Sequence, residues 1–272
     1  MSNTKHEIVI FCASFSRDIH RAKILFDSIL KYNVDNIPVY LTVPSEDVKL
    51  FQNTLGISGY TLLTDEQILG EKQAQSWTGQ QIIKLNFWKL GLCHNYISID
   101  SDGYFIKPFR IKDFIVNTET HTPYTVMHEQ KDLFSWTIKN TQILGFDPQP
   151  SFAEHIIPAQ ELFGRVGGRL YDFGPLPIYS CLVWKALDEN YLEPNNLKIK
   201  DLLNKINEFD WYGETLLAFR PIELWPIEPV FKMFHYMKQY EEYKKTGYTE
   251  EHWSRNYFGI VMQSSSGLPL KY

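Results

Sequence analysis

The chain has 272 residues, 44% of them hydrophobic and 22% charged, a balance that excludes a disordered chain and suffices for a large buried core. Its 27 Lys and Arg stand against 32 Asp and Glu, and the net charge of -5 argues against a nucleic-acid partner, whose domains are basic. No apolar run approaches the roughly 20 residues that cross a bilayer, and Met1–Glu7 lacks a signal-peptide core, so the expectation is a cytoplasmic chain with no transmembrane segment. Cys12, Cys93 and Cys181 are odd in number, far apart and set among apolar neighbours, as buried thiols are. Aromatic residues reach 15%, which suits either a packed core or a surface that handles sugars or bases.

In chain order, Glu7–Ala13 is a short β-branched run of the kind that forms a strand buried on both faces. Asp18–Tyr32 has helical spacing, Pro38–Pro44 is a second strand, Ser45-Glu-Asp-Val a helix start, and Tyr60–Thr64 a third strand. This alternation predicts an α/β fold with a mostly parallel sheet flanked by helices. Ser76–Leu92 follows as a helix with Ile83, Phe87 and Leu90 on one face and Gln81, Lys84 and Trp88 on another. Tyr96–Gly103 then reads as a strand that ends in Asp100 and Asp102. Gly164–Pro177 is rich in Gly and Pro and predicts an irregular loop. Ile178–Asn190 and Ile206–Phe219 have helical spacing, and Glu241–Lys245 suits a solvated helix face. With no internal repeat or linker, residues 1–272 read as a single domain.

Asp100-Ser101-Asp102 is the only Asp-x-Asp in the chain. Ligands of open α/β sheets bind at the carboxyl ends of strands, where this pair falls. Residues i and i+2 of a strand share a face, and two carboxylates set together repel unless a cation or a proton intervenes. Mg²⁺ and Mn²⁺ favour such oxygen donors, while a capping turn is the plainer reading. Glu208, Asp210 and Glu214 form a second acidic cluster. On a helix Asp210 and Glu214 share a face and Glu208 lies elsewhere.

The segments Trp77-Thr-Gly-Gln-Gln-Ile-Ile-Lys84 and Tyr96–Phe109 resemble the nucleotide-binding half of GT-A-type glycosyltransferases. Together with Tyr171–Pro177, Asn207–Gly213 and Asn256–Ser264, they look closest to a bacterial domain-of-unknown-function family of capsule and O-antigen glycosyltransferases. The resemblance implies a GT-A-like (Rossmann-like) fold with a nucleotide-sugar-binding half (1–110) and an acceptor-side half (111–272). The implied activity is metal-dependent sugar transfer from a nucleotide-sugar to a hydroxyl acceptor in bacterial surface polysaccharide biosynthesis. It implies that Ala13, Ser14 and Phe15 touch the nucleoside. Asp100 and Ser101 would lie at the donor, and Asp102 would hold Mn²⁺ or Mg²⁺ with help from Asp100 and His235; His252 is the alternative to His235. Lys84 would partner phosphate or Asp100, with a solvated helix face as its plainer role.

Glu208 is the preferred general base, with Asp210 and Glu214 beside it; favourable charge at a helix start is the rival account. Arg165, Arg169 and Asp172 are acceptor-side candidates, and the acceptor would be a saccharide or lipid-linked saccharide that brings peripheral membrane contact. Two other functions stay open. A nucleotide-sugar nucleotidyltransferase needs a Gly-rich loop after its first strand, where this chain has Ala13-Ser-Phe-Ser-Arg-Asp18. A non-catalytic carbohydrate-binding protein would use the aromatics but has no need of Asp-Ser-Asp.

Overall fold

A computed structural model describes residues 5–72, 76–129, 131–144, 149–202 and 207–272. The Met1–Thr4 leader reading and the helix start at Ile206 lie outside the described residues.

The first half runs β1 (His6–Ala13), α1 (Ile19–Tyr32), β2 (Val39–Val43), α2 (Val48–Leu55), β3 (Thr61–Thr64), α3 (Asp65–Leu69), α4 (Trp77–Asn86), β4 (Cys93–Ser98) and β5 (Gly103–Phe105). There follow β6 (Ile115–Asn117), β7 (Thr122–Pro123), β8 (Thr125–Val126), α5 (Lys131–Leu144), α6 (Gln149–Leu162), β9 (Ile178–Ser180) and α7 (Cys181–Leu187). The chain closes with α8 (Ile199–Leu202), α9 (Glu208–Phe219), β10 (Pro226–Ile227), β11 (Phe231–Phe234), α10 (Met237–Lys245), α11 (Glu250–Ser254) and β12 (Gly259–Met262).

The main sheet has the order β3-β2-β1-β4-β9, parallel throughout except for the antiparallel edge strand β9. The expected mostly parallel α/β architecture is therefore present, and its sheet draws on both halves of the chain. Alternation along β1 explains why helices cover both faces. Ile8, Ile10 and Cys12 pack with α1, α2 and Phe51 on one side. Val9, Phe11 and Ala13 pack on the other with residues of α4, α7 and α9. There Phe11 stacks on Phe87 at 4.0 Å between ring centroids. A second sheet, β11-β12-β5, has β12 antiparallel to β5 and extends the molecule from the turn after β4.

Three expected elements take a different form. The Ser76–Leu92 helix is α4 followed by a 3₁₀ turn at Phe87–Leu90, and its Gln81 and Lys84 are as buried as its apolar face. Ile178–Asn190 begins as strand β9, because Ile178 and Tyr179 pair with Ile97 and Tyr96; the helix starts only at Cys181, with Ser180 as its cap. The strand expected through Asp102 stops at Ser98, and the aspartates lie in the turn that follows.

Candidate functional site

The turn is built by backbone bonds. Ile99 N–H still donates to Phe11 O of β1, and Gly103 N–H donates back to Asp100 O, both at 3.0 Å. Gly103 fits because a Cβ there would stand 3.2 Å from Ile99 Cδ1. In the turn the same-face argument for Asp100 and Asp102 no longer holds, and the two carboxylates find different partners. Asp100 Oδ1 meets Lys84 Nζ at 2.6 Å, with the Asp100 side chain 47% exposed. Asp102 Oδ2 accepts the Ser264 N–H at 2.9 Å, and Asp102 O accepts the Met262 N–H. Burial and then the charge of Asp100 push the Asp102 carboxyl up to about 6, while Ser264 and Arg21 pull it down.

Lys84 is 5% exposed, so the solvated reading fails, and its ammonium bridges Asp100 to Glu208 Oε1 at 3.0 Å. Those two carboxylates hold its pKa above the ordinary lysine value against the opposing effect of burial. Tyr96 on β4 donates its hydroxyl to Lys84 O at 2.8 Å and fixes that turn of α4.

Beside the turn, the end of β1 supplies Ala13 and Ser14, both buried, with Ser14 N–H donating to Thr42 O. Ser14 Oγ is buried without a hydrogen-bond partner among the described residues. Phe15 carries the Arg17 guanidinium 5.0 Å from its ring. Asp18 joins the carboxylates here; burial raises its pKa, and Asp100 adds to the rise. Neither Asp18 nor Arg21 belongs to a motif. Arg21 donates to Met262 O and Leu268 O and so ties α1 to the end of the chain that caps Asp102, a role that only the tertiary structure reveals.

Helix α9 starts at Glu208 because Asn207 Oδ1 accepts the Asp210 N–H at 2.9 Å. Glu208, Asp210 and Glu214 are all buried, at 3%, 2% and 0% exposure. Glu208 lies against Lys84, whose ammonium is 3.0 Å from its Oε1. Burial drives the Asp210 carboxyl well above its ordinary value, and Asp172, Glu214 and Glu208 add to it in that order. Glu214 is paired with Arg165 Nε at 2.6 Å; burial still raises it. Arg165 therefore braces the loop on α9, and Arg169 is on the surface with Glu129 at 2.8 Å. Asp172 Oδ1 accepts the Gly174 N–H at 2.7 Å, and its backbone pairs with His128.

His235 follows β11. Burial, then the field of Lys232, lower its imidazole to about 4, and Gln263 opposes the shift. His252, its alternative, accepts the Thr249 N–H on Nδ1 in a capping box on α11. Among the described residues no three His, Cys, Asp or Glu side chains converge on a point that an ion would occupy, so His235 is not gathered with Asp100 and Asp102. No described helix is long and apolar enough to cross a membrane.

A family model, DUF6492, a family of unknown function, matches residues 8–163, more than half of the chain, and the chain belongs to that family. Among solved structures the chain is similar to a crystal structure of mouse xyloside xylosyltransferase 1 in its apo form. The likeness has 10% identity and a TM-score of 0.47, covering 98% of this chain and 100% of that one. No sequence among the curated proteins matches the chain.

Proposed function

We propose that this protein is a metal-dependent glycosyltransferase that moves a sugar from a nucleotide-sugar donor to a hydroxyl acceptor. The observation that carries the reading is the Asp100–Lys84–Glu208 bridge at the carboxyl edge of β4, beside Asp102, with Lys84 and Glu208 buried and Asp100 open to solvent. Burying an ion costs several kcal/mol, so charges concentrated at a sheet's ligand-binding edge favour a site made for a charged ligand over a plain sugar-binding face. Ala13, Ser14 and Phe15 flank the same edge and suit the nucleoside.

Asp102 and the exposed side of Asp100 are hard oxygen donors with mutual repulsion to relieve, which fits Mg²⁺ or Mn²⁺. When bound, the ion would supply charge neutralisation for the departing nucleoside diphosphate. Lys84 orients Asp100, and Glu208 holds Lys84. The acceptor belongs to the side that Gly164–Pro177 helps to form, and a saccharide or lipid-linked saccharide of a bacterial surface polysaccharide is its proposed class. A cytoplasmic site at the inner face of the membrane suits such an acceptor.

Release of nucleoside diphosphate from UDP-, GDP- and CDP-sugars, with Mn²⁺ and acceptor mixtures, tests the reading. Asp102→Asn should reduce turnover by roughly 10²–10³-fold, the scale for losing one preorganised charge-stabilising group. Unchanged turnover in that variant would overturn the metal assignment. Glu208→Gln separates two roles. A fall in donor affinity marks it as the positioning partner of Lys84, whereas a fall in transfer alone marks it as the base.

A further inference from the structure

Besides the edge of the main sheet, the described residues line an open pocket of about 480 Å³, within the range of small-ligand sites. Its lining includes His128, Tyr171, Glu228, His235, Asn256 and Tyr257. Two connections join it to the site above. Tyr171 precedes Asp172, which exchanges backbone hydrogen bonds of 2.8 and 3.0 Å with His128 and adds to the charge felt by Asp210 on α9. His235 is bonded to the Gln263 side chain, and the next residue, Ser264, donates to Asp102. The cavity is thus linked through neighbouring residues to α9 and to the Asp102 turn.

Its charges are mostly spent. Glu129 pairs with Arg169 at 2.8 Å and with Lys131 at 3.4 Å. The Lys232 ammonium lies over the rings of Tyr243, Trp253 and Phe234 at 5.1, 5.2 and 5.9 Å. Glu228 is exposed and takes part in no ion pair among the described residues, so its carboxylate is open to a hydroxyl donor and repels an anion. Tyrosine rings offer flat apolar faces, and Asn256 supplies both a donor and an acceptor.

We infer that this cavity binds a neutral pyranoside as the acceptor sugar, with Tyr171 and Tyr257 against the ring and Asn256 and Glu228 on its hydroxyls. The inference rests on the transferase reading for the word acceptor, and on the cavity alone for the ligand.

The test is saturation-transfer NMR and calorimetry on the full chain. The probes are the methyl glycosides of glucose, galactose, mannose and N-acetylglucosamine, with methyl glucuronide as the anionic control. Each is run alone and with Mn²⁺ plus UDP, GDP or CDP. At least one neutral glycoside should bind in preference to the glucuronide. Asn256→Ala and Tyr171→Ala should each weaken it about tenfold, the effect of one lost ligand contact, while nucleotide binding stays unchanged. Asn256 is exposed, so its variant carries the test even if Tyr171→Ala fails to fold. Absence of neutral glycoside binding, preference for the glucuronide, or binding unchanged in Asn256→Ala overturns the inference. Nucleotide binding in those same samples would leave the transferase reading standing. Glycoside binding that Asn256→Ala weakens, with no nucleotide bound under any condition, upholds the cavity as a sugar site and overturns the transferase.

Discussion

Lys84 brings an ammonium into the interior and answers it with Asp100 at 2.6 Å and Glu208 at 3.0 Å. Removing one member of such a group strands the others. Lys84→Met should therefore cost about 3–5 kcal/mol in denaturant unfolding, and pairing it with Glu208→Met should recover much of that loss. A single variant as stable as the parent would mean that the bridge is not held in solution. Asp65 is another buried carboxyl, 6% exposed, accepting the Thr42 hydroxyl at 2.8 Å. Burial raises its pKa from 3.8 to about 6. The folded state thus keeps a proton that the unfolded chain gives up, so this group lowers stability as pH rises from about 4 through 6. Asp65→Asn keeps the acceptor for Thr42 and removes the charge. Its melting temperature should exceed that of the parent at pH 7.5 and approach it at pH 4; equal gains at both values would contradict the shift.

The elements that the sequence announces are those whose pattern is local. The run Ile8–Ala13 and the proline-bounded Val39–Val43 read as buried strands because their apolar residues are continuous, and β1 and β2 are where they should be. The end of β4 was harder to read. Nothing in Ile99-Asp100-Ser101-Asp102 signals that pairing stops at Ser98, since the stop comes from the turn closed by Gly103 N–H. Strand β9 is masked by a helical pattern because its pairing partner lies over eighty residues earlier in the chain. Burial on both sides of α4 is equally hidden: Gln81 and Lys84 break its apolar pattern, and Lys84 is held by Glu208 of α9. That helix is fastened to the sheet edge by Tyr212, whose hydroxyl accepts the Ser180 N–H at 2.9 Å and donates to Ile178 O. Gly213 beside it leaves room for Phe173, since a Cβ there would lie 1.9 Å from that ring. Gly213→Ala should cost about 1–3 kcal/mol through overpacking, read as a lower unfolding midpoint with unchanged slope. A neutral effect would mean that Phe173 has somewhere else to go.

At the scale of the molecule, the parallel sheet brings together residues scattered across the chain. Ser14 and Asp18 come from its start, Lys84, Asp100 and Asp102 from its middle, Glu208 from α9 and Ser264 from near its end. Asp100 and Asp102 were legible because a motif marks them. Arg21 and Ser264 were not, because each acts through a contact made only by folding. The central claim is that this edge binds a nucleoside diphosphate together with a divalent ion. Calorimetry of the purified chain with UDP, GDP and CDP, first with Mn²⁺ and then with EDTA, tests it most directly. The account predicts binding of one of the nucleotides that disappears with EDTA and in Asp102→Asn; no nucleotide binding under either condition would contradict it.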